Sequence, residues 1–228
     1  MKKYGLLAGA LCLPVLFACS ESSQTASAAK DVDQKNELEA TKASSEIAAT
    51  DEAKIASGVD YHSFANPDEI RVTHLSLNLA ANFETKQLVG DVTLDVERIQ
   101  PDSNTLVLDT RALTIQNVTV NGQPVEFSMG EKDEDLGTPL SITLPEGADK
   151  VTVAYSTSPS ASGVQWLTPA QTAGKQHPFL FTQAQAVHAR SFIPLQDSPQ
   201  VRVTYDATIN TPKDLLAVMS AANDPTTE

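Results

Sequence analysis

The chain has 228 residues, 41% of them hydrophobic, and a formal net charge of −13 from 16 Lys and Arg against 29 Asp and Glu. At roughly 100–200 residues per domain, this length allows one or two domains. The acidity argues against a nucleic-acid-binding protein, because phosphate binding depends on clustered Lys and Arg. The 2 Cys residues cannot form a disulfide scaffold. No long apolar stretch follows the N-terminal region, which argues against a bundle of membrane helices.

Residues 1–18 have the pattern of a signal peptide. Lys2 and Lys3 give a basic start, and an apolar run over residues 6–18 follows. That run is too short to cross a bilayer as a helix, so we expect it to direct export.

The end of this run predicts a lipid anchor. Residues 16–19 read Leu-Phe-Ala-Cys, which resembles the bacterial lipobox, in which the Cys is lipidated and becomes the mature N-terminus. This predicts lipidation at Cys19, since several acyl chains on one residue anchor a protein stably. Ser20 follows, and by resemblance to Gram-negative lipoproteins it predicts the periplasmic face of the outer membrane. The alternative is a plain secretory signal that happens to contain Cys19.

Residues 19–58 are predicted to be a flexible tether. After Cys19 the segment is rich in Ser, Ala, Thr, Glu, Asp and Lys, with no Pro and no aromatic residue. Such a composition buries too little apolar surface to offset the conformational entropy of the chain. A packed helical hairpin is the competing interpretation.

Residues 59–228 are predicted to form one all-β domain, a saddle-like antiparallel sheet or sandwich of about nine or ten strands. Alternation of apolar with polar residues indicates half-buried strands. The alternating positions are Leu75, Leu77 and Leu79, then Val92, Leu94 and Val96, then Leu113, Ile115, Val118 and Val120. The dipeptide Asn121-Gly122 predicts a tight hairpin turn. Further strands are predicted at residues 140–144, 151–155, 179–182, 201–209 and 216–219.

No complete catalytic or metal site is present in the sequence. None of the four His residues begins a His-Glu-x-x-His pair, and there is no Gly-x-Ser-x-Gly elbow or Gly-rich phosphate loop. The acidic run at residues 131–135 lacks the ligand spacing of a helix-loop-helix calcium site, which favours a solvated loop. We therefore assign no catalytic residue and no metal ligand.

The segment from residue 150 to residue 190 differs in composition from the other predicted strands. Between Lys150 and Lys175 no residue is charged, and shortly afterwards two Gln side chains follow an apolar run. On an extended strand Gln183 and Gln185 would share one face, and His188 and Arg190 the other. Two amides can both donate and accept hydrogen bonds, which suits recognition of a peptide end. The alternative is that they satisfy neighbouring backbone groups.

Several segments together resemble a known family. They are residues 106–110, 113–115, 120–123, 165–169, 171–172, 174–175, 177–181, 183–190, 193–194, 196–199 and 219–221. These segments resemble the N-terminal domain of the leukotriene A(4) hydrolase and bacterial aminopeptidase family, and the similarity runs over residues 61–222. The resemblance implies a saddle-shaped β-domain that packs on a thermolysin-like catalytic domain. It also implies that Gln183, Gln185 and Ala186 contact the N-terminal residue or the backbone of a peptide substrate.

The sequence departs from that family in one large respect. The Gly-Gly-Met-Glu-Asn loop, the His-Glu-x-x-His helix and the catalytic Tyr would all lie beyond Glu228. The resemblance therefore implies that zinc binds in a catalytic domain outside this sequence, and we expect the chain alone to be inactive. A gene fragment or truncated reading frame is one explanation. The alternatives are a non-catalytic lipoprotein binding module and a split enzyme whose catalytic half is another chain.

Overall fold

The computed structural model of the protein describes residues 60–223. The predicted signal peptide (residues 1–18), the predicted tether (19–58) and the predicted lipidation at Cys19 fall outside these residues and stay predictions. Within the described part of the chain, no helix is long and apolar enough to cross a membrane.

Strands make up nearly all the regular structure between residues 60 and 223, which confirms the predicted all-β fold. The strands are β1 (Ile70–Asn82), β2 (Gln87–Arg98), β3 (Thr105–Thr110), β4 (Thr114–Val120), β5 (Gln123–Pro124), β6 (Phe127–Met129), β7 (Thr138–Thr143), β8 (Lys150–Ser156), β9 (Val164–Leu167), β10 (Phe179–Thr182) and β11 (Thr204–Asn210). Two short 3₁₀ helices cover Pro169–Gln171 and Ala189–Ser191.

The largest sheet has six strands in the order β11-β1-β2-β8-β4-β5. Its neighbours are antiparallel except for β1 and β11, which are parallel, so the expectation of an antiparallel sheet holds with this one exception. The predicted alternation sets its inner face, because successive side chains of a strand point to opposite sides. The inward residues of the two longest strands are all buried: Leu75, Leu77, Leu79, Val92, Leu94 and Val96.

A three-stranded sheet, in the order β3-β7-β6, shares its core with the large sheet. Leu106, Leu108, Leu140 and Ile142 are fully buried and belong to the same hydrophobic cluster as the inner face of the large sheet. Burial of apolar side chains between sheets is the main favourable term that holds such a domain together.

The predicted hairpin turn at Asn121-Gly122 is confirmed. It joins β4 to β5, with Val120 paired to Gln123. Asn121 has a φ of 48° and Gly122 a φ of 78°. Both values are positive, as a two-residue hairpin turn of type I′ requires, and Asn and Gly adopt them more readily than other residues.

One strand prediction was wrong. No strand forms at residues 216–219, and there Leu216 is 65% exposed and Val218 70%. Alternation alone does not make a strand where no neighbouring strand supplies hydrogen bonds. Conversely, no strand was predicted at β3, at β6 or at β9, which is a short strand with a single partner, β10.

Candidate functional site

The two-stranded ribbon of β9 and β10 has one inner and one outer face. Trp166 and Leu180 are paired across the ribbon and pack against the hydrophobic core. The Trp166 ring also meets Phe83 edge-on, with centroids 5.1 Å apart. On the other side Phe179 and Phe181 are 53% and 40% exposed. The ribbon therefore presents an apolar outer face where β10 ends.

The predicted substrate-binding residues lie directly after this ribbon, in residues 183–188, which we call the amide loop. Its start continues the ribbon, because the backbone N–H of Gln183 donates to the carbonyl oxygen of Gly163 at 2.8 Å. Its end folds back on itself, and the N–H of His188 donates to the carbonyl oxygen of Ala184 at 2.8 Å. The peptide bond between Gln185 and Ala186 is cis.

The strand predicted at residues 179–182 is confirmed as β10, but the chain turns after Thr182 and does not continue extended through the amide loop. The turn nevertheless leaves Gln183, Gln185 and Ala186 all exposed. Neither Gln side chain has a hydrogen-bond partner among the described residues. The alternative in which these amides satisfy neighbouring backbone groups is therefore wrong in this part of the chain.

Because the segment is not an extended strand, Arg190 and His188 do not share a strand face. Arg190 is fully buried, and its guanidinium donates to the Oδ2 atom of Asp197 at 3.1 Å and to the backbone oxygen of the same residue at 3.0 Å. It also donates to the backbone oxygens of His62, at 2.7 Å, and Leu136, at 3.0 Å. A buried cation needs this many acceptors, because desolvation is costly unless hydrogen bonds replace water.

Asp109, at 0% exposure, completes the buried charge cluster. One of its oxygens lies 3.7 Å from the guanidinium of Arg190, and the carboxylate accepts hydrogen bonds from the N–H groups of Phe64 (2.8 Å) and Asp197 (3.0 Å) and from the Ser63 hydroxyl. Burial raises the pKa of the Asp109 carboxyl, and its hydrogen bonds and the Arg190 charge reduce that rise without cancelling it. The cluster ties the segment before β1 to the chain that follows the amide loop.

A catalytic zinc site takes about three protein ligands. The described residues contain no group of three His, Cys, Asp or Glu side chains that could hold a metal ion. The nearest approach is a pair across β1 and β11, where His74 Nε2 lies 2.8 Å from Asp206 Oδ2. The other ring nitrogen of His74 lies 2.7 Å from the Thr204 hydroxyl. The described residues therefore do not fit a zinc ion.

Comparison with known proteins decides the family. The sequence profile of the peptidase M1 N-terminal domain matches residues 71–228. The chain belongs to this family. The curated relatives include leukotriene A-4 hydrolase of Xenopus laevis, 42% identical over 170 residues, which are 72% of this chain and 28% of that protein. They also include leucine aminopeptidase 2 of Yarrowia lipolytica, 42% identical over 161 residues, which are 69% of this chain and 25% of that protein.

Solved structures of the peptidase M1 family share the fold. A structure of yeast LTA4 hydrolase in complex with bestatin superimposes with a TM-score of 0.64 at 33% identity, covering 68% of this chain and 25% of that one. An M1 zinc metallopeptidase from Deinococcus radiodurans, bound to a Tyr-Ser-Ala substrate, has a TM-score of 0.55 at 20% identity over 72% of this chain and 38% of that one, which shows the fold alone. The present chain thus spans about a quarter of the length of its curated relatives.

Proposed function

We propose that this M1 N-terminal domain forms one wall of the substrate cleft of a membrane-tethered zinc aminopeptidase, which removes N-terminal residues from peptides. The observation that carries the proposal is the amide loop. Its backbone is held at both ends, while the side chains of Gln183 and Gln185 are exposed and make no hydrogen bond to a described residue. Exposed amides on an ordered backbone are suited to binding a ligand.

The chemistry of the amides fits a peptide N-terminus. A Gln side chain offers a carbonyl oxygen, which accepts from an ammonium group, and an NH₂ group, which donates to a peptide carbonyl. An ordered loop loses little conformational entropy on binding, and this favours affinity. Gln185 is assigned the main contact, with Gln183 and the backbone at Ala186 beside it.

The partner surface for a catalytic domain is assigned to the apolar outer face of the ribbon and the segment after β11. Of the large hydrophobic residues in the described part of the chain, only Phe179, Leu216 and Val218 are more than half exposed, at 53%, 65% and 70%. Phe179, Leu216 and Leu167 line one open cavity of about 610 Å³. Contiguous exposed apolar surface marks interaction sites. Because the matched region covers only about a quarter of each relative, a catalytic domain is the occupant proposed here.

Zinc is assigned to that catalytic domain, since the residues described here do not fit it. When bound, zinc lowers the pKa of a water molecule and polarises the scissile carbonyl. The contribution proposed for residues 60–223 is to bind and orient the substrate. Purified alone and supplied with zinc, it should show no more turnover of a chromogenic aminoacyl substrate than its Gln185→Ala variant.

Substrate contact is tested by NMR of the Gln185 side-chain amide in the 228-residue chain. A free Ala-Ala-Ala peptide should shift this signal, whereas N-acetylated Ala-Ala-Ala, which lacks the ammonium group, should not. Gln185→Ala should remove the effect of the peptide on the rest of the loop. The matched control is Gln116→Ala, an exposed Gln on β4, which should leave the response unchanged. Equal responses to both peptides would refute recognition of the N-terminus.

The gene itself separates the aminopeptidase from the non-catalytic lipoprotein module. Reading the DNA past the codon for Glu228 should find sequence for Gly-Gly-Met-Glu-Asn and His-Glu-x-x-His. An immediate stop codon in verified sequence would instead favour the non-catalytic module or a catalytic half on another chain.

The membrane tether and the location are proposed from Cys19 and the residues around it. A lipidated Cys19 followed by Ser20 places the protein on the periplasmic face of the outer membrane of a Gram-negative bacterium. Mass spectrometry of the membrane fraction should find an acylated N-terminus at Cys19, and Cys19→Ser should release the chain. An unmodified chain in that fraction, or a Cys19→Ser form that stays anchored, would contradict the proposal.

A further inference from the structure

We propose that Gly163 and Ser191 are positioning residues, which hold the two ends of the amide loop together so that Gln185 faces the substrate. The proposal rests on the proposed role of that loop in peptide binding. Neither residue belongs to the loop itself. Gly163 immediately precedes β9, and Ser191 ends the second 3₁₀ helix. We call the pair the glycine–serine clamp.

The clamp is a chain of three hydrogen bonds, two of them made by Gly163 and two by the Ser191 hydroxyl. The carbonyl oxygen of Gly163 accepts from the N–H of Gln183 at 2.8 Å, which fixes the start of the loop. The N–H of Gly163 donates to the Ser191 hydroxyl oxygen at 2.8 Å. That hydroxyl in turn donates to the carbonyl oxygen of His188 at 2.7 Å, which fixes the end. Gly163 and Ser191 together thus link the two ends of the loop.

Ser191 is 1% exposed, so water is poorly placed to replace its hydroxyl. Removing it leaves the Gly163 N–H without its acceptor, while the His188 carbonyl keeps only the backbone N–H of Ser191, at 3.1 Å. An unmade hydrogen bond of a buried group is costly. The remaining side-chain link, between the Ser162 hydroxyl and His188 Nδ1 at 3.0 Å, is exposed and open to competition from water. The buried hydroxyl is therefore the stronger restraint on the end of the loop.

Position 163 must be Gly for a steric reason. A Cβ atom placed there would lie 2.7 Å from the carbonyl oxygen of His188 and 2.8 Å from two ring carbons of Phe192. Real Cβ atoms essentially never approach other atoms below 3.0 Å. Any side chain at 163 would therefore force the His188 carbonyl or the Phe192 ring to shift, although it would remove no hydrogen-bonding group.

The clamp matters for Gln185 because no described residue forms a hydrogen bond with the Gln185 side chain. Inside the loop the one backbone hydrogen bond is between the N–H of His188 and the oxygen of Ala184. The orientation of the Gln185 amide consequently follows from where the two loop ends are fixed. Catalytic and binding groups that are displaced by as little as 1 Å lose much of their effect.

The first test measures backbone amide hydrogen exchange in the 228-residue chain. Ser191→Ala should speed exchange at the Gln183 and His188 amides about tenfold or more relative to the amide of Leu94 in the core. The matched control is Thr157→Ala. Thr157 is also 1% exposed, and its hydroxyl accepts the N–H of Leu88 at 2.9 Å, away from the loop. This control should leave the ratio of loop to core exchange unchanged.

Gly163→Ala provides an independent variant, because it keeps the Ser191 hydroxyl and only adds a methyl group next to the His188 carbonyl and the Phe192 ring. It should give the same selective loosening of the loop. Both clamp variants should also weaken binding of Ala-Ala-Ala about fivefold or more. The binding is measured by the NMR shift of the Gln185 side-chain amide. Thr157→Ala should bind the peptide like the unaltered chain.

The outcomes separate the clamp from the proposed function. Selective loosening in both clamp variants together with weaker peptide binding supports the clamp. Unchanged loop exchange in both variants overturns it, even where Gln185→Ala abolishes peptide binding and so supports the proposed function. If Gln185→Ala leaves peptide binding unaffected, the proposed function fails, and the positioning role fails with it whatever the exchange rates.

Discussion

The inner face of the large sheet and the amide loop are ordered by opposite means. On β2, Val92 and Leu94 are held by burial, at 0% exposure, and their backbone pairs with strands on both sides. In the amide loop the backbone is held by neighbouring groups, while Gln183 and Gln185 remain outside. Side chains that are buried contribute mainly to stability, whereas side chains left free on an ordered backbone are available to a ligand. Substitutions should therefore separate stability from binding.

Arg190 lies two residues after the amide loop but is fully buried, and it should give the largest effect. Arg190→Met leaves the carboxylates of Asp109 and Asp197 without their buried cation, and breaking a buried ion pair in this way costs about 3–5 kcal/mol. Urea unfolding would measure the loss. The control is Arg202→Met at an exposed position, which should stay within about 0.5 kcal/mol. A loss below about 1 kcal/mol at Arg190 would show that the cluster does not stabilise the domain.

Leu94 tests the sheet without touching the loop. Leu94→Ala removes a fully buried side chain from a central strand, and we expect it to lower the free energy of unfolding by about 2–5 kcal/mol. Val89 lies on the same strand but is 37% exposed, so Val89→Ala should cost much less. Equal losses in urea unfolding would contradict the burial pattern. Peptide binding at the amide loop should be unchanged in both variants.

The sheet could be predicted because its pattern is local. The alternation at Val92 and Leu94 predicts which side chains point inward, and Asn121-Gly122 predicts where the chain reverses direction. Each signal lies within a few residues of the structure that it predicts. The strand predicted at residues 216–219 shows the limit, since a strand also needs a partner that the alternation does not reveal.

The candidate site could be predicted only in part, because its geometry is set by distant residues. Resemblance to a family singled out Gln183 and Gln185, but the turn that exposes them depends on Gly163, some twenty residues earlier. The burial of Arg190 could not be predicted for the same reason, since its hydrogen-bond partners, such as His62 and Leu136, are far from it in the sequence. One signal was available: Asp109 follows an apolar run, which is unusual for a charged residue unless a buried cation pairs with it.

Gln185 should behave in the opposite way to Leu94. Because its side chain is exposed and unpartnered among the described residues, Gln185→Ala should change the free energy of unfolding by less than about 0.5 kcal/mol. The same variant should lose the response to Ala-Ala-Ala. Urea unfolding and peptide titration on one sample would test both parts. A stability loss above about 1 kcal/mol would mean that the amide supports the fold.

The pair between β1 and β11 should give the smallest effect, visible chiefly in its pH dependence. Hydrogen bonds from His74 and then Ser76 lower the pKa of the Asp206 carboxyl below its usual 3.8. A carboxyl with a lowered pKa in the folded state adds stability above its unfolded pKa, and this is lost as the pH falls through the folded pKa. The difference in stability between the unaltered chain and Asp206→Asn should therefore be larger near neutral pH than below about pH 3.

Thermal unfolding over this pH range would measure that difference at the edge strand. Asn210→Ala is the matched control, because Asn210 lies on the same strand and does not titrate. The stability difference between Asn210→Ala and the unaltered chain is compared with that for Asp206→Asn at each pH. If the two differences change with pH in the same way, the effect does not arise from the Asp206 carboxylate. An Asp206→Asn difference that stays constant with pH would mean that exposure to water and salt screens the pair, and that β11 is held to β1 by backbone pairing alone.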